Sequence, residues 1–138
     1  MRIPFLKFPE KGQLFDYTLR PMLPISISNK FRAIEKTSAL IDSGSEYCLI
    51  NSKFAEHLLY VDYKSGKRVD VIGVCGDNIT GYAHELEYEI LNMKDSKKIK
   101  APFIFLKSNN FSILLGQHGF FDEFTVCFSF ENAYINIT

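Results

Sequence analysis

The chain has 138 residues, enough for one domain around one core, and 46% of them are apolar, with 13 phenylalanines. Its 16 basic residues balance 16 acidic ones, which excludes a broad field that would draw it to nucleic acid or an anionic membrane. No apolar run approaches the roughly 20 residues of a membrane helix, and Met1-Arg2-Ile3-Pro4-Phe5-Leu6 lacks the long apolar stretch of a secretion signal, so a soluble, cytoplasmic protein is expected.

β-Type segments dominate the order of elements. Residues 1–20, with Phe5, Phe8 and Phe15, read as an N-terminal extension or strand that supports a dimer or covers a cleft. Strands are expected over 13–20 and 23–28, the second with Leu23, Ile25 and Ile27 alternating against polar neighbours. Pro21 and Pro24 restrict ladder hydrogen bonds there and favour an edge or a break. Residues 31–41 form the next strand, closing on Ala39-Leu40-Ile41. The turn Asp42-Ser43-Gly44-Ser45 follows, and Tyr47 to Ile50 returns to strand.

A helix capped by Asn51 or Ser52 places Phe54, Ala55, Leu58 and Leu59 on one face. Residues 69–75 and 79–91 read as a β-hairpin around Gly76-Asp77-Asn78. Lys94 to Lys100, with four lysines and one acid, reads as a solvated turn. Ile99 to Leu106 is a strand, Ile113-Leu114-Leu115 a short buried one, and Gly116 to Asp122 a short helix. Thr125–Phe130 and Ala133–Ile137 make a terminal hairpin turning at Glu131-Asn132.

The three cysteines, Cys48, Cys75 and Cys127, cannot all pair and match no zinc spacing, so they read as small buried hydrophobes. His57, His84 and His118 are too scattered for a metal site. A nucleophile formed by Cys48 and a histidine is disfavoured because Cys48 lies in an apolar strand. Phe120, Phe121, Phe124, Phe128 and Phe130 read as core rather than a base-stacking platform. The triplets at Asn78, Asn110 and Asn136 read as coincidental glycosylation signals.

The chemistry concentrates at Asp42. A carboxylate directly after three apolar residues sits at the mouth of a core strand, partly desolvated. Gly44 permits a sharp turn and close backbone approach, and the Ser43 hydroxyl can hydrogen-bond across to a facing backbone. Seventy-one residues beyond Asp42 comes the apolar run Ile113-Leu114-Leu115, closed by Gly116. Between the two lies the glycine-punctuated hairpin Val71-Ile72-Gly73-Val74-Cys75-Gly76.

In this order the sequence resembles the retropepsin-like aspartic proteases, particularly their single-domain cellular members. Residues 39–50, Ala39 to Ile50, look like the family's active-site segment. Residues 113–124, Ile113 to Phe124, look like its second signature, with Leu115, Gly116 and Gln117 at its centre. The resemblance implies an all-β acid-protease barrel with one short helix after the active-site turn and a flap hairpin.

It also implies that Asp42 is the catalytic acid, and that one such motif per chain requires a homodimer. Ser43 would lock the two active-site turns and Gly44 would admit substrate backbone. Glu46 and the flap residues Gly73, Val74, Cys75, Gly76 and Asp77 would meet an extended peptide. No metal and no cofactor is needed. Serine stands where the family more often has threonine. Gln117 and Glu46 stand where retroviral members usually have arginine and aspartate, so a Gln117–Glu46 hydrogen bond is the expected substitute for that pair. His118, inside the second signature, would tune the site. The function so implied is an aspartic endopeptidase. The alternative is a catalytically inactive module of the same fold that dimerises or binds peptides.

Overall fold

Two strands carry the clearest inward alternation. In β4 (Met22–Ser28) the side chains of Leu23, Ile25 and Ile27 are fully buried while the residues between them are half-buried. In β8 (Asn78–Ile90) Leu86, Tyr88 and Ile90 are buried in the same rhythm. β4 pairs with β5 (Ala33–Ile41) on one side and β8 on the other, and this double pairing closes a barrel. Around the ring, β5 is followed by β10 (Ile113–Leu115), β6 (Cys48–Asn51), β9 (Ile99–Leu106) and then β8. β7 (Lys67–Ile72) lies outside the ring, paired to β8 as a long hairpin. The computed structural model describes residues 1–10 and 14–138.

Both prolines inside ring strands sit one residue before a strand gains its second neighbour. Pro24 pairs with β5, and pairing of β4 to β8 starts at Ile25. Pro102 pairs with β8, and pairing of β9 to β6 starts at Phe103. The missing N–H is therefore placed where only one ladder exists. β4 is not an edge strand, as Pro24 had suggested. Pro21 does mark the break between β3 (Tyr17–Arg20) and β4. The expected strand start at Gln13 lies outside the described residues.

Outside the barrel, β1 (Arg2–Pro4), β12 (Tyr134–Ile137) and β11 (Val126–Ser129) form a second sheet in that order. Among the described residues β2 (Leu6–Pro9) pairs only with β3. The main core joins the barrel interior to the inner face of the terminal sheet through Phe5, Ile135, Ile137 and Phe120. A smaller cluster of Leu49, Ile104, Leu106 and Leu114 lies under Val69, Val71 and Ile79 of the β7–β8 hairpin.

Several expectations need correction. The helix after β6 is one 3-10 turn, Ser52–Phe54, and one α turn, α1 (Ala55–Leu58), with the Asn51 side chain accepting from the Lys53 N–H. The strand expected over 31–41 begins at Ala33, because the Asn29 side chain caps a turn through Phe31 and Arg32. The strand expected over 69–75 runs from Lys67 to Ile72, and Gly73, Val74 and Cys75 belong to the turn. Lys100 belongs to β9 rather than to the preceding turn. Cys75 and Cys127 are exposed; only Cys48 is buried. Phe120 is core, but Phe128 and Phe130 are 37% and 62% exposed, because β11 overhangs the core at the open edge of its sheet.

Residues 116–122 form turns instead of a helix. The Phe121 and Asp122 N–H groups reach back five residues to Gly116 and Gln117, and Gly119 takes a φ of +103°. That left-handed residue interrupts a helical path.

Candidate functional site

β10 fits between β5 and β6, strands that follow each other in sequence. Leu114 and Leu115 pair in parallel with Leu40 and Ile41, and Ile113 and Leu114 pair antiparallel with Ile50 and Leu49. The Asp42 N–H extends the first ladder by donating to the Leu115 carbonyl at 3.0 Å. Asp42 thus leaves the barrel from a strand fixed on both sides, between buried Ile41 and exposed Ser43. Its carboxyl is half-buried. Oδ1 accepts the Gly44 N–H at 2.9 Å, and the Asp42 carbonyl accepts the Ser45 N–H at 3.2 Å. A Cβ on Gly44 would stand 3.2 Å from that same Oδ1, so glycine keeps the carboxylate's near side open.

The second segment is laced to this turn residue by residue. The Gln117 N–H donates to the Ser45 carbonyl at 2.8 Å and the His118 N–H to the Glu46 carbonyl at 3.0 Å. The Gln117 side-chain amide donates to the Ser43 carbonyl at 2.9 Å. Gln117 therefore braces the Asp42 turn from its own chain, and the hydrogen bond expected between Gln117 and Glu46 side chains is not formed. The Glu46 carboxylate is exposed and has no cation within ion-pair range among the described residues. Gly116 is dictated by space: a Cβ there would fall 2.2 Å from the Tyr47 carbonyl oxygen and 2.7 Å from that of Ser45.

Beneath the lacing lie two residues that sequence reasoning did not assign to the site. Cys48 Sγ accepts from the Gly116 N–H at 3.4 Å and contacts the His118 carbonyl at 3.3 Å. Burial pushes its thiol up to about 11, so it holds a proton and serves as a neutral anchor, with no imidazole against it. The Tyr88 hydroxyl donates to the Gly119 carbonyl at 2.6 Å, and burial raises its ionisation well above the ordinary tyrosine range. Tyr88 stood in the sequence as one more alternating residue of a long strand; only the fold aims it at residue 119. The His118 ring is exposed and tilts against Tyr47 at 6.3 Å.

The β7–β8 hairpin ends in a turn over Gly73–Asp77. It is held by Gly73 N–H to the Asp77 carbonyl at 2.9 Å and Gly76 N–H to the Gly73 carbonyl at 3.0 Å. Gly76 has a φ of +80°, which suits glycine. Val74, Cys75, Gly76 and Asp77 are exposed, and Ile72 and Val74 present bare aliphatic side chains to solvent. The hairpin and the Asp42 turn meet the same small core, through Val69, Val71 and Ile79 on one side and Leu114 and Leu40 on the other.

Among the described residues no group of His, Cys, Asp and Glu converges as a metal site would require, and no helix is long and apolar enough to cross a membrane. No protein-family model matches the sequence, and no curated protein matches it. Solved structures do match in fold. One is the EIAV protease complexed with the inhibitor HBY-793, a retroviral protease that shares 18% identity with this chain at a TM-score of 0.51. The match covers 71% of this chain and 82% of that one. The chain has a retropepsin-like fold: an all-β closed barrel with one short helix and a projecting hairpin.

Proposed function

We propose that this protein is an aspartic endopeptidase whose active site is completed by a second copy of the chain. The observation that carries the reading is the Asp42 turn. A carboxyl is presented at the end of a doubly paired strand, on a turn bonded at Ser43, Ser45 and Glu46 to a single loop. Such bracing suits a group that must be pre-positioned. Oδ1 is occupied by the Gly44 N–H, while Oδ2 makes no hydrogen bond among the described residues. Two copies about a two-fold axis would bring two such carboxyls together. Two negative charges at hydrogen-bonding distance repel, so the pair holds one proton between them.

The ionised carboxyl takes a proton from a water molecule as that water attacks a peptide carbonyl carbon. The protonated carboxyl donates to the carbonyl oxygen, and the tetrahedral intermediate collapses with proton transfer to the leaving amine. The Ser43 hydroxyl makes no hydrogen bond among the described residues and would lock one turn to the other. The β7–β8 hairpin would lie over an extended peptide, its tip supplying main-chain hydrogen bonds and the Val74 side chain. Glu46, at the end of the turn, would border the substrate.

The test is cleavage of an unstructured protein across about pH 4 to 7.5, comparing wild type with Asp42→Asn. Cleavage by wild type alone, blocked by a statine-type peptide that mimics the tetrahedral intermediate, is expected. Absence of cleavage in both, with peptide binding retained, would replace the reading by a non-catalytic peptide-binding module.

A further inference from the structure

We propose that a gap in the ladder along β8 is a binding site for a short, extended, acidic peptide, at the end of the barrel away from Asp42. β9 pairs with β8 from Tyr82 to Tyr88. On the opposite side of β8 the pairing is shared: β7 takes Asn78–Ala83 and β4 takes Glu87–Ile90. Among the described residues, no strand pairs with His84, Glu85 or Leu86 on that side. Ser28 borders the gap, while Met22, at the other end of β4, pairs with Leu40 beside the Asp42 turn.

A proline fixes which main-chain groups face the gap. Glu85 lies opposite Pro102 of β9. Opposed residues of an antiparallel pair exchange both hydrogen bonds or none, and Pro102 has no N–H to give. The Glu85 N–H and C=O therefore point away from β9, into the gap. The alternation holds at both ends. The Ala83 carbonyl faces the same side, where a Cβ on Gly66 would stand 2.4 Å from it. Further on, the Leu91 N–H donates to the Pro24 carbonyl, at the β4 side, at 3.0 Å. Glu85 is thus the residue between the two pairings whose donor and acceptor both face that side and meet no partner among the described residues. A free ladder position of this kind is filled by the N–H and C=O of one residue of an added chain.

Room and charge name the occupant. The gap opens into a cavity of about 530 Å³ bordered by Ser28, Lys30, Glu85, Glu87, Lys98 and Lys100. Such a space holds a short extended chain but no folded partner. Lys100 is already paired with Glu87 at 3.8 Å. Lys30 and Lys98 have no acid within ion-pair range among the described residues, and they share the cavity with one unpaired acid, Glu85. The charge left over is positive. A carboxylate next to the paired residue of the peptide would meet these ammonium groups, whereas a basic peptide would be repelled.

The probe is a fluorescein-labelled hexapeptide of alternating glutamate and valine, followed by fluorescence anisotropy, with Asp42→Asn as the protein so that the probe is not cut. Backbone amide resonances locate it. The Glu85 amide is expected to shift and to exchange with solvent more slowly, and a lysine–valine hexapeptide is expected not to bind. Lys30→Glu combined with Lys98→Glu is expected to weaken binding about tenfold or more, with an unchanged circular dichroism spectrum. The proposal is overturned by a Glu85 amide that does not respond, or by a double variant that binds as tightly as its parent. It is overturned equally if the lysine peptide binds as well, or if inorganic phosphate alone shifts that amide as far as the peptide does. Should the double variant fail to fold, two N-methylated peptides decide on the intact protein, one methylated on its glutamate amides and the other on its valine amides. At least one is expected to lose binding, since one set must face Glu85; undiminished binding of both overturns the proposal. None of these readouts needs cleavage. A chain that binds here and cuts nothing would sink the proteolytic reading alone, and one that cuts while Glu85 stays silent would sink only this proposal.

Discussion

The Asp42 turn and the tip of the β7–β8 hairpin are both five-residue turns built around glycine, and they are held in opposite ways. Asp42–Glu46 is bonded from outside itself, by Leu115, Gln117 and His118. Among the described residues Gly73–Asp77 is bonded only to itself, by two internal hydrogen bonds, and Val74 to Asp77 are exposed. Glycine does different work at the two. Gly116, on the segment laced to the Asp42 turn, is needed because a Cβ there would strike the Tyr47 and Ser45 carbonyls, whereas nothing lies within 4 Å of a Cβ built on Gly76, whose φ of +80° alone asks for glycine. A carboxyl that must hold one orientation belongs on the first kind of turn. A segment that must admit and release a chain belongs on the second.

The contrast can be broken in a series of experiments, taken from the largest expected effect to the smallest. Asp42→Asn should lower peptide cleavage by about 10²–10⁴-fold, the range for loss of a general acid or base, with an unchanged melting temperature. A variant that keeps wild-type kcat would remove Asp42 from the chemistry. Gly116→Ala should cost about 1–3 kcal/mol or more in urea unfolding, since two backbone carbonyls must move. Gly76→Ala should cost less than this, from backbone strain alone; equal losses at the two glycines would erase the distinction drawn between them.

The anchors under the Asp42 turn give a pH signature. The Cys48 thiol, ordinarily near 9.0, is raised to about 11 by burial, and Tyr88 is raised in the same direction. Both groups bind their protons more tightly folded than unfolded. The Cys48 contribution to stability is whole below about pH 9 and is lost as pH rises through about 11, whereas the Tyr88 contribution begins to fall only above its ordinary value of 10.0 and goes on falling at higher pH. Unfolding midpoints followed from neutral to alkaline pH should fall in that window. At neutral pH a maleimide should label Cys75 and Cys127 in the native chain and Cys48 only after denaturation. Rapid native labelling of all three would show that the anchor is not buried in solution.

Gln117→Ala removes one hydrogen bond to the Ser43 carbonyl, so it should cost about 1 kcal/mol of stability. It should also depress kcat more than KM, because the turn rather than the substrate loses its brace. Val74→Ser at the exposed tip should change stability by less than about 0.5 kcal/mol while raising KM. If the tip variant destabilises as much as the Gln117 variant, the hairpin is not the loosely held element described.

Much of the barrel was legible in the sequence, because its signals are local. Ile99–Leu106 and Ile113–Leu115 are strands with the bounds their apolar runs suggest. The order of acid turn, short helix, hairpin and second apolar run is reproduced. What was not legible depends on residues distant in the chain. β1 is three residues long, includes a proline, and becomes a strand only because Ile135 lies opposite Ile3. The Gln117 amide faces Ser43 rather than Glu46 because the lacing of 117 to 45 and 118 to 46 sets where that side chain starts. The helix expected over 116–122 failed for a related reason: its backbone is committed to Ser45, Glu46, Cys48 and Tyr88.

The closure of β4 onto β8 has a consequence for how the chain reaches this state. Ile25 must find Ile90, with most of the barrel's sequence lying between them. Until that encounter, β4 has one neighbour, and the inner faces of both strands stay wet. The entropy of so long a loop must be met before its contacts form, which places ring closure near the top of the folding barrier and makes folding slow for a chain of this size. Once the hoop is shut, no member can peel away without reopening it, so loss of the native state should be abrupt, and hydrogen exchange around the ring should be governed by global opening.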